Sequence, residues 1–250
     1  MKKVKTLLDY LWIFLAGGVA GFVNVLAGGG SMLTLPALSL VGLDLGVANG
    51  TNRIGILFSN MMSAGKFAKG GKLPLKRAAF LAVPTTAGAI IGASIAVEIN
   101  EEMLKNIVGF IFLGLSILVI FKPNLWTKER KVKRRNWLSI LVFFIIGIYG
   151  GFLQAGVGFF LMTGLVLVEG FDLVKTNATK VFVIMCYTII SLVIFAVNGK
   201  VNFVAGAFLA LGGMTGAYIA TNTALKKGAG FIRYIVFVAV IVSALRYLFF

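Results

Sequence analysis

Long apolar segments separated by short polar loops run through almost the whole chain. Each is long enough, or nearly so, to cross the roughly 30 Å hydrocarbon core of a bilayer, which takes about 20 helical residues. The segments are Leu11–Ala27, Val47–Ala68, Ala78–Val97, Ile107–Phe121, Trp137–Gly158, Val174–Val197, Phe203–Thr223 and Phe231–Phe250. This pattern predicts an all-α polytopic membrane helical bundle of about eight spans.

Composition places the chain in the membrane class and narrows its chemistry. Of the 250 residues, 59% are hydrophobic and only 13% are charged, whereas about a quarter of the residues in soluble domains are charged. The chain has no histidine and one cysteine, Cys186. A disulfide within the chain is therefore excluded, and imidazole metal sites and Ser-His catalysis are absent. We expect no cofactor, no metal site and no enzymatic activity.

The formal net charge of +16 is concentrated in short loops beside the apolar segments. Such a bias sets the orientation of the spans, because cytoplasmic loops are enriched in Lys and Arg, and it requires no nucleic-acid partner. The regions predicted to be cytoplasmic are Lys2–Lys5, Lys66–Arg77 and Lys122–Asn136. The acidic turns predicted to face outward are Asp44, Glu98–Leu104, and Glu169 with Asp172. Under this scheme Lys226 and Lys227 lie on the outer side of the membrane, which is an exception to the rule.

The sequence repeats itself at a spacing of 128 positions. Over the 52 residues 42–93, the ungapped alignment with 170–221 gives 18 identities, including Asn49 with Asn177 and Thr51 with Thr179. Duplicated units of this kind are typical of transporter folds. We therefore predict a membrane repeat at 1–121, a basic cytoplasmic linker at 122–136 and a second membrane repeat at 137–250, which together form one transporter domain. We expect glycine-broken or re-entrant helices at the start of each repeat.

The charge pattern also predicts how the repeats are oriented. If the first half begins and ends beside cytoplasmic basic segments, it crosses the membrane an even number of times, which favours two parallel four-span units. The segment Leu7–Val41 is the difficult part, because its 35 residues make about 52 Å of helix. We expect it to cross once, in two pieces with a break and with a short re-entrant helix as an option. Both termini are then cytoplasmic.

The break is predicted at the sequence VLAGGGSMLTLP, residues 25–36. Glycine costs roughly 1 kcal/mol relative to alanine inside a helix, and Ser31 is of a type that caps helix N-termini. A helix restarting there would present free N–H groups around Gly29 and Gly30, an arrangement that favours anions. Close packing of helices through small residues is the alternative explanation.

Polar side chains inside the spans complete the candidate substrate site. Arg53 and Lys180 lie at nearly the same depth in the two repeats, and a cation at a helix centre costs roughly 2.5–3.5 kcal/mol on insertion scales. Snorkelling toward the headgroups is the alternative for either one. The candidate binding residues are Asn24, Gly29, Gly30, Ser31, Asn49, Thr51, Arg53, Gln154, Asn177, Thr179 and Lys180.

The acidic residues lie at the ends of the apolar segments rather than at their centres. A cation pathway or a carboxylate proton relay would need buried acids, so the inventory favours an anionic solute. An anion leaving a cell that is negative inside gains about 2.3 kcal/mol per charge per 100 mV. Export therefore needs no coupling ion, whereas uptake would need one.

The ordered motifs of the chain resemble those of the sulfite exporter TauE/SafE family, also called the 4-toluene sulfonate uptake permease family. The motifs are GFVNVLAGGGSMLTLPAL and ANGTNRIGILFSNM in the first half, with GFLQAGVGFFL and TNATKVFVIM in the second. The resemblance implies a multi-pass secondary transporter of small sulfur-containing anions, of the sulfite, sulfonate or sulfoacetate type, in the prokaryotic cytoplasmic membrane. Alternatives are an ion-coupled uptake permease for another small anion and a non-transporting membrane scaffold. The expected partners are the anion and the lipid bilayer, with a homodimer as a candidate assembly.

Overall fold

A computed structural model describes residues 6–104, 106–108, 132 and 135–249, and these residues form helices joined by short connections. The predicted span Ile107–Phe121 and the linker at 122–136 lie almost entirely outside the described residues. The helices are α1 (Leu7–Leu26), α2 (Ser31–Leu40), α3 (Leu45–Lys69), α4 (Leu75–Glu98), α5 (Asn136–Phe152), α6 (Val157–Leu167), α7 (Leu173–Val197) and α8 (Phe203–Phe249). Residues 101–104 and 106–108 are also helical.

Four helices of the described chain are long and apolar enough, by length and composition, to cross a membrane. They are Leu7–Leu26, Leu75–Glu98, Leu173–Val197 and the first part of α8, Phe203–Gly228. Helix α8 leaves helical geometry at Gly228, where φ is 68° and ψ is −159°. Helices α2, α5 and α6 are apolar but shorter than a span. Fewer helices than the predicted eight therefore qualify as spans among these residues.

One end of the bundle, which we call the basic end, gathers the α3–α4 loop with the start of α5 and the end of α6. Arg77, near the start of α4, forms an ion pair with Glu169 at 2.8 Å and donates to the side chain of Asn136 at 2.9 Å. The same end is closed by packing among Leu73, Leu167, Leu173 and Leu225. Helices α3 and α6 therefore end here, and α4, α5 and α7 begin here.

The opposite end, which we call the acidic end, gathers the start of α3, the end of α4 and the α7–α8 connection. The backbone N–H of Leu45 donates to the Glu101 carboxylate at 3.2 Å. A surface pocket there is lined by Asp44, Gly46, Val47, Ala96, Ile99, Glu101, Leu104 and Lys200. Helix α1 also begins at this end, because Tyr10 stacks on Phe208 in the first turns of α8, with ring centroids 4.8 Å apart.

The two halves of the chain run in opposite directions across the bundle. Helix α3 goes from the acidic to the basic end, whereas its sequence counterpart α7 goes from the basic to the acidic end. Close backbone contacts agree: Gly212 and Gly216 of α8 pack on Phe14 and Gly18 of α1, so these two helices are parallel. The expectation of parallel repeats is wrong, because α1 begins at the acidic end and α5 begins at the basic end.

Each half begins with a helical hairpin that returns to the end at which it started. Helix α2 lies back along α1, and Trp12, Val19, Leu33 and Leu40 line the groove between them. The segment Leu7–Val41 therefore does not cross once, as expected, but forms a re-entrant pair. Likewise Arg77 binds both Asn136, at the start of α5, and Glu169, two residues after the end of α6. Helices α5 and α6 therefore start and finish at the same end, and Trp137–Gly158 is not one continuous span.

These directions also correct the assignment of charged loops to sides. Residues Lys66–Arg77 lie at the basic end, whereas α1 begins at the acidic end. The prediction put the start of α1 and Lys66–Arg77 on the same, cytoplasmic side, and the two ends of one bundle do not fit that assignment. Glu169 and Asp172 lie at the basic end rather than with Asp44. The apparent exception in α8 disappears, because Leu225, the residue before Lys226, packs at the basic end with Gly70.

Glycines allow the first helix of each hairpin to pack tightly on a helix of the other half. Helix α5 lies along α4 with Gly88 against the Phe144 carbonyl and Gly92 against the Ile148 carbonyl. A Cβ at Gly17 of α1 would lie 2.6 Å from the Leu209 carbonyl oxygen of α8. Such small-residue contacts are the usual way in which membrane helices approach closely. They fix where each hairpin ends inside the bundle.

Candidate functional site

The two hairpins meet at their interruptions. A Cβ at Gly28, which has φ +84°, would lie 2.6 Å from the Cα of Gly158, so the two backbones are in direct contact. Gly28 follows the end of α1, and Gly158 belongs to the first turn of α6. The glycine run predicted to interrupt a helix does so, and its first glycine is required both by its left-handed conformation and by this contact.

Gly29, Gly30 and Ser31, which follow Gly28, pack tightly against neighbouring residues and do not form an open helix N-terminus. A Cβ at Gly30 would lie 2.6 Å from the Cβ of Asn24, and one at Gly29 would lie 3.0 Å from the Phe159 ring. The N-cap of α2 is Gly30, which has helical φ and ψ and makes no side-chain capping bond. Ser31 is instead the first helical residue, 2% exposed. The prediction that Ser31 caps α2 is therefore wrong.

Arg53 and Asn49 of α3 bind the last carbonyls of α5. The Arg53 guanidinium donates to the Gly151 carbonyl at 2.5 Å and to the Gly150 carbonyl at 3.4 Å. The Asn49 amide donates to the Phe152 carbonyl at 2.8 Å. Both side chains are fully buried, and the guanidinium also lies over the Phe195 ring, 4.3 Å from its centroid. Arg53 therefore does not snorkel.

Lys180 and Asn177 of α7 bind the last carbonyls of α1 in the same way. The Lys180 ammonium donates to the carbonyls of Asn24 and Val25, both at 2.9 Å. The Asn177 amide donates to the Leu26 carbonyl at 3.5 Å and accepts a bond from Lys180 at 2.8 Å. Each pair of an amide and a cation thus satisfies three consecutive carbonyls at the end of the interrupted helix in the other half.

The need for these contacts follows from ending a helix inside a membrane. The last four carbonyls of a helix have no partner within it, and lipid offers none. Cations near a helix C-terminus also interact favourably with its partial negative charge. Within the described chain neither Arg53 nor Lys180 has a carboxylate partner, so both charges are offset by carbonyl dipoles, and that of Arg53 also by the Phe195 ring.

The remaining predicted residues are all buried but do not form one cluster. The Thr51 hydroxyl accepts a bond from the Asn202 backbone N–H at 2.9 Å, which fixes the start of α8. Gln154, at φ +64° in the α5–α6 connection, donates to the Thr188 hydroxyl at 2.8 Å. Buried atoms without a hydrogen-bond partner in the described chain include the side-chain atoms Asn24 Nδ2, Asn49 Oδ1, Asn52 Nδ2, Arg53 Nε, Gln154 Oε1 and Thr179 Oγ1.

The structure therefore sorts the candidate residues into two groups rather than one pocket. Asn49, Arg53 and Gln154 surround the α5–α6 interruption, and Asn24, Asn177 and Lys180 surround the α1–α2 interruption. Sequence reasoning missed a third polar group, Thr34, Asn52 and Ser59, which line one narrow cleft. The i, i+7 spacing of Asn52 and Ser59 on one helix face is a signal that could have found two of them.

Comparison with known proteins gives concordant matches over nearly the whole chain. Residues 13–247 match the family model of the sulfite exporter TauE/SafE. A probable membrane transporter protein, ORF9, from Sinorhizobium sp is 29% identical over 95% of this chain and 91% of its own length. The probable membrane transporter protein YfcA of Escherichia coli K12 is 26% identical over 93% of this chain and 87% of its own. A probable membrane transporter protein of Haemophilus influenzae is 26% identical over 88% of this chain and 87% of its own. No solved structure gives a significant match.

Proposed function

The chain belongs to the sulfite exporter TauE/SafE family and is a membrane transporter of that family, and on this premise we propose that it exports small sulfur-containing anions across the cytoplasmic membrane. The substrate class comprises sulfite, sulfonate and sulfoacetate types. The observation that carries the proposal is the pair of fully buried cations, Arg53 and Lys180, without carboxylate partners in the described chain. A region of uncompensated positive charge in a low-dielectric medium attracts an anion and repels a cation.

The cations would act chiefly through their charge rather than through free hydrogen-bond donors. Lys180 Nζ and the two terminal nitrogens of Arg53 already bind acceptors in the protein, and Arg53 Nε is the one nitrogen of the two cations without a partner in the described chain. A substrate would therefore be held mainly by the positive potential and by neighbouring polar groups. The residues proposed to surround it are the predicted site residues, Asn24, Gly29, Gly30, Ser31, Asn49, Thr51, Arg53, Gln154, Asn177, Thr179 and Lys180.

The charge asymmetry of the bundle supports an orientation for this export. The basic end carries Lys66, Lys69, Lys72, Lys76, Arg77, Lys175, Lys226 and Lys227 against Glu169 and Asp172. Because cytoplasmic loops are enriched in Lys and Arg, we place the basic end in the cytoplasm. Helix α1 then begins on the outer side, which revises the expectation of a cytoplasmic N-terminus.

The opposite directions of the halves support alternating access as the mechanism. In transporters built from inverted repeats, discontinuous helices carry the substrate site and one bundle rocks against the other. Here the hairpins α1–α2 and α5–α6 are the discontinuous elements. Their contact at Gly28 and Gly158 is a closure between them, and its opening toward either side would expose the substrate to that side.

A flux assay in proteoliposomes tests the proposal. Vesicles containing the full chain are loaded with radiolabelled sulfite, and a potassium diffusion potential, negative inside, is imposed without any sodium or proton gradient. We expect the potential alone to accelerate efflux over protein-free vesicles, since each charge gains about 2.3 kcal/mol per 100 mV. Efflux that requires an imposed sodium or proton gradient would contradict uncoupled export and favour an ion-coupled permease.

A further inference from the structure

The last turn of α3 and the neighbouring part of α8 carry a group of cationic and polar side chains at the basic end. The Lys66 ammonium donates to Asn222 Oδ1 and lies 3.4 Å from the centroid of the Tyr218 ring. Lys226, one helical turn beyond Asn222, is close enough to Tyr218 to interact with it electrostatically. We call Lys66, Tyr218, Asn222 and Lys226 the α3–α8 seam.

The positive charge of the α3–α8 seam is not neutralised by the protein. Both carboxylates described at the basic end, Glu169 and Asp172, form ion pairs with cations of α4 and α7. Within the residues that the structure describes, neither Lys66 nor Lys226 has a carboxylate partner. Lys226 is exposed, and Tyr218 is 48% exposed. The seam therefore presents positive charge to its surroundings.

Lys66 is held in place on the seam rather than extended freely into water. Its bond to Asn222 uses the amide oxygen, so the Asn222 nitrogen is left to act as a donor. An ammonium carries three donors, of which this bond uses one. The Tyr218 ring beside the ammonium stabilises the charge by a cation–π contact. The seam thus offers several hydrogen-bond donors, beside a fixed cation, to an acceptor such as a phosphate group.

Apolar side chains continue from the seam toward the acidic end. On α3, Phe58 and Met62 precede Lys66 by eight and four positions, so the three share one helix face. On α8, Leu211 precedes Tyr218 by seven positions and lies on the same face as that ring. Phe58 is 41% exposed and Leu211 is 56% exposed. A cationic group above an exposed apolar surface matches an amphiphile, whereas a small soluble anion would use only the cationic part.

We propose that the α3–α8 seam binds the phosphate group of an anionic phospholipid whose acyl chains lie along Phe58 and Leu211. Each lysine near an anionic membrane surface strengthens the attraction by roughly fivefold. A zwitterionic lipid has no net charge, and its quaternary ammonium would be repelled by Lys66 and Lys226. The inference goes beyond the export proposal and does not depend on which solute is transported.

Lipid binding to the delipidated full-length protein tests the seam. Native mass spectrometry from detergent gives the apparent Kd of phosphatidylglycerol and of phosphatidylcholine with the same acyl chains. The double variant Lys66→Gln with Lys226→Gln removes both seam charges. Lys76→Gln with Lys175→Gln is the matched control, because it removes two exposed lysines of the basic end that lie on other helices. If the seam variant is unstable, Lys226→Gln alone decides, because that side chain is exposed.

We expect the wild type to bind phosphatidylglycerol about tenfold or more tightly than phosphatidylcholine. The seam variant should lose about tenfold or more in affinity for phosphatidylglycerol, and Lys226→Gln alone about fivefold. The control variant should stay within about twofold of the wild type. Inorganic phosphate and glycerol 3-phosphate, added as soluble competitors, should not displace the lipid, because they lack acyl chains.

Equal affinity of the wild type for the two lipids would overturn the proposal, as would equal weakening by the seam and control variants. Displacement of the lipid by inorganic phosphate would overturn a lipid as the occupant and indicate a site for a free anion. A preference for phosphatidylglycerol that depends on the seam, in protein that shows no sulfite efflux, would support the seam and count against export alone.

Discussion

Asn49 and Asn177 make the same hydrogen bond in opposite halves of the molecule: each donates to the carbonyl of the last residue of the interrupted helix in the other half. They align at the spacing of 128 positions and lie on helices that run in opposite directions. The cations Arg53 and Lys180 follow the same rule for the two preceding carbonyls. The repeated polar motif is therefore an exchange of helix caps between the halves.

The contact between Gly28 and Gly158 predicts that neither tolerates a side chain. In Gly158→Ala the new methyl group would overlap the Gly28 backbone, and overpacking of this kind costs about 1–3 kcal/mol. We expect a lower Tm in detergent and loss of sulfite efflux. Gly65→Ala in α3 is the control, because a Cβ there has nothing within 4 Å. Equal Tm values for the two variants would show that the hairpins do not meet as described.

Two substitutions of Lys180 separate its charge from its capping role. Lys180→Met removes both, leaving the Val25 carbonyl unsatisfied at about 1–3 kcal/mol and the Asn24 carbonyl with the Gly28 N–H as a remaining donor, so the Tm and the flux should both fall. Lys180→Gln keeps an N–H donor of nearly the same reach and removes the charge. We expect it to retain most of the stability while efflux falls about tenfold or more.

Lys175→Met supplies the control for the Lys180 pair. It removes a cation from the same helix at a side chain that is 55% exposed and paired with Asp172, where such pairs contribute about 0–1 kcal/mol. Its Tm and flux should match those of the wild type. If Lys180→Gln transported sulfite at the wild-type rate, the proposed role of the Lys180 charge in transport would be wrong.

The ion pair at the basic end predicts a strong dependence on Glu169. Its side chain is fully buried and accepts bonds from Arg77 and from the Ser139 hydroxyl at 2.6 Å. Breaking a buried pair by removing one charge costs about 3–5 kcal/mol, more than replacing both partners. Glu169→Gln should therefore lower the Tm further than the double variant Arg77→Met with Glu169→Leu. The reverse order of Tm values would contradict a cost from the charge of Arg77 left without its carboxylate partner.

The opposite positions of the loops can be read by thiol labelling. In a Cys186→Ala background, which removes the chain's one cysteine, Asp44→Cys lies at the acidic end and Lys72→Cys at the basic end. A membrane-impermeant maleimide added to intact cells should label Asp44→Cys and should label Lys72→Cys only after permeabilisation. Labelling of both from the same side would refute the bundle directions.

Sequence patterns predicted the interruptions and the buried polar motifs but not the directions of the halves. The glycines at 28–30 signal a break because they cost stability in a helix, and the structure has its break there. Hydropathy reads Trp137–Gly158 as one span because it records length and not the turn at Gln154. Each hairpin was counted as one crossing, although it returns to the end at which it started. The number of crossings inferred from the charged loops was therefore even, and it predicted parallel repeats instead of opposed ones.

The roles of Ser31 and Asn52 show the same limit at the level of side chains. Serine before an apolar run is a good capping signal, yet Gly30 already has helical φ and ψ, so Ser31 falls inside the helix. The repeat does not single out Asn52, because its aligned partner is Lys180 rather than another amide. Its hydrogen-bond partner is Thr34, 18 residues away, and the small residues of α8 line the same cleft, and a comparison of repeated positions detects neither.

The exchange of caps has a consequence for how the molecule is made. The Val25 and Leu26 carbonyls at the end of α1 receive their donors from Lys180 and Asn177, which lie 155 and 151 positions later in the chain. During synthesis the first hairpin therefore enters the membrane long before the residue that completes it has been translated. Until then those carbonyls need water, a neighbouring protein or an insertion factor, and a first half synthesised alone would keep an open helix end that quality control can recognise.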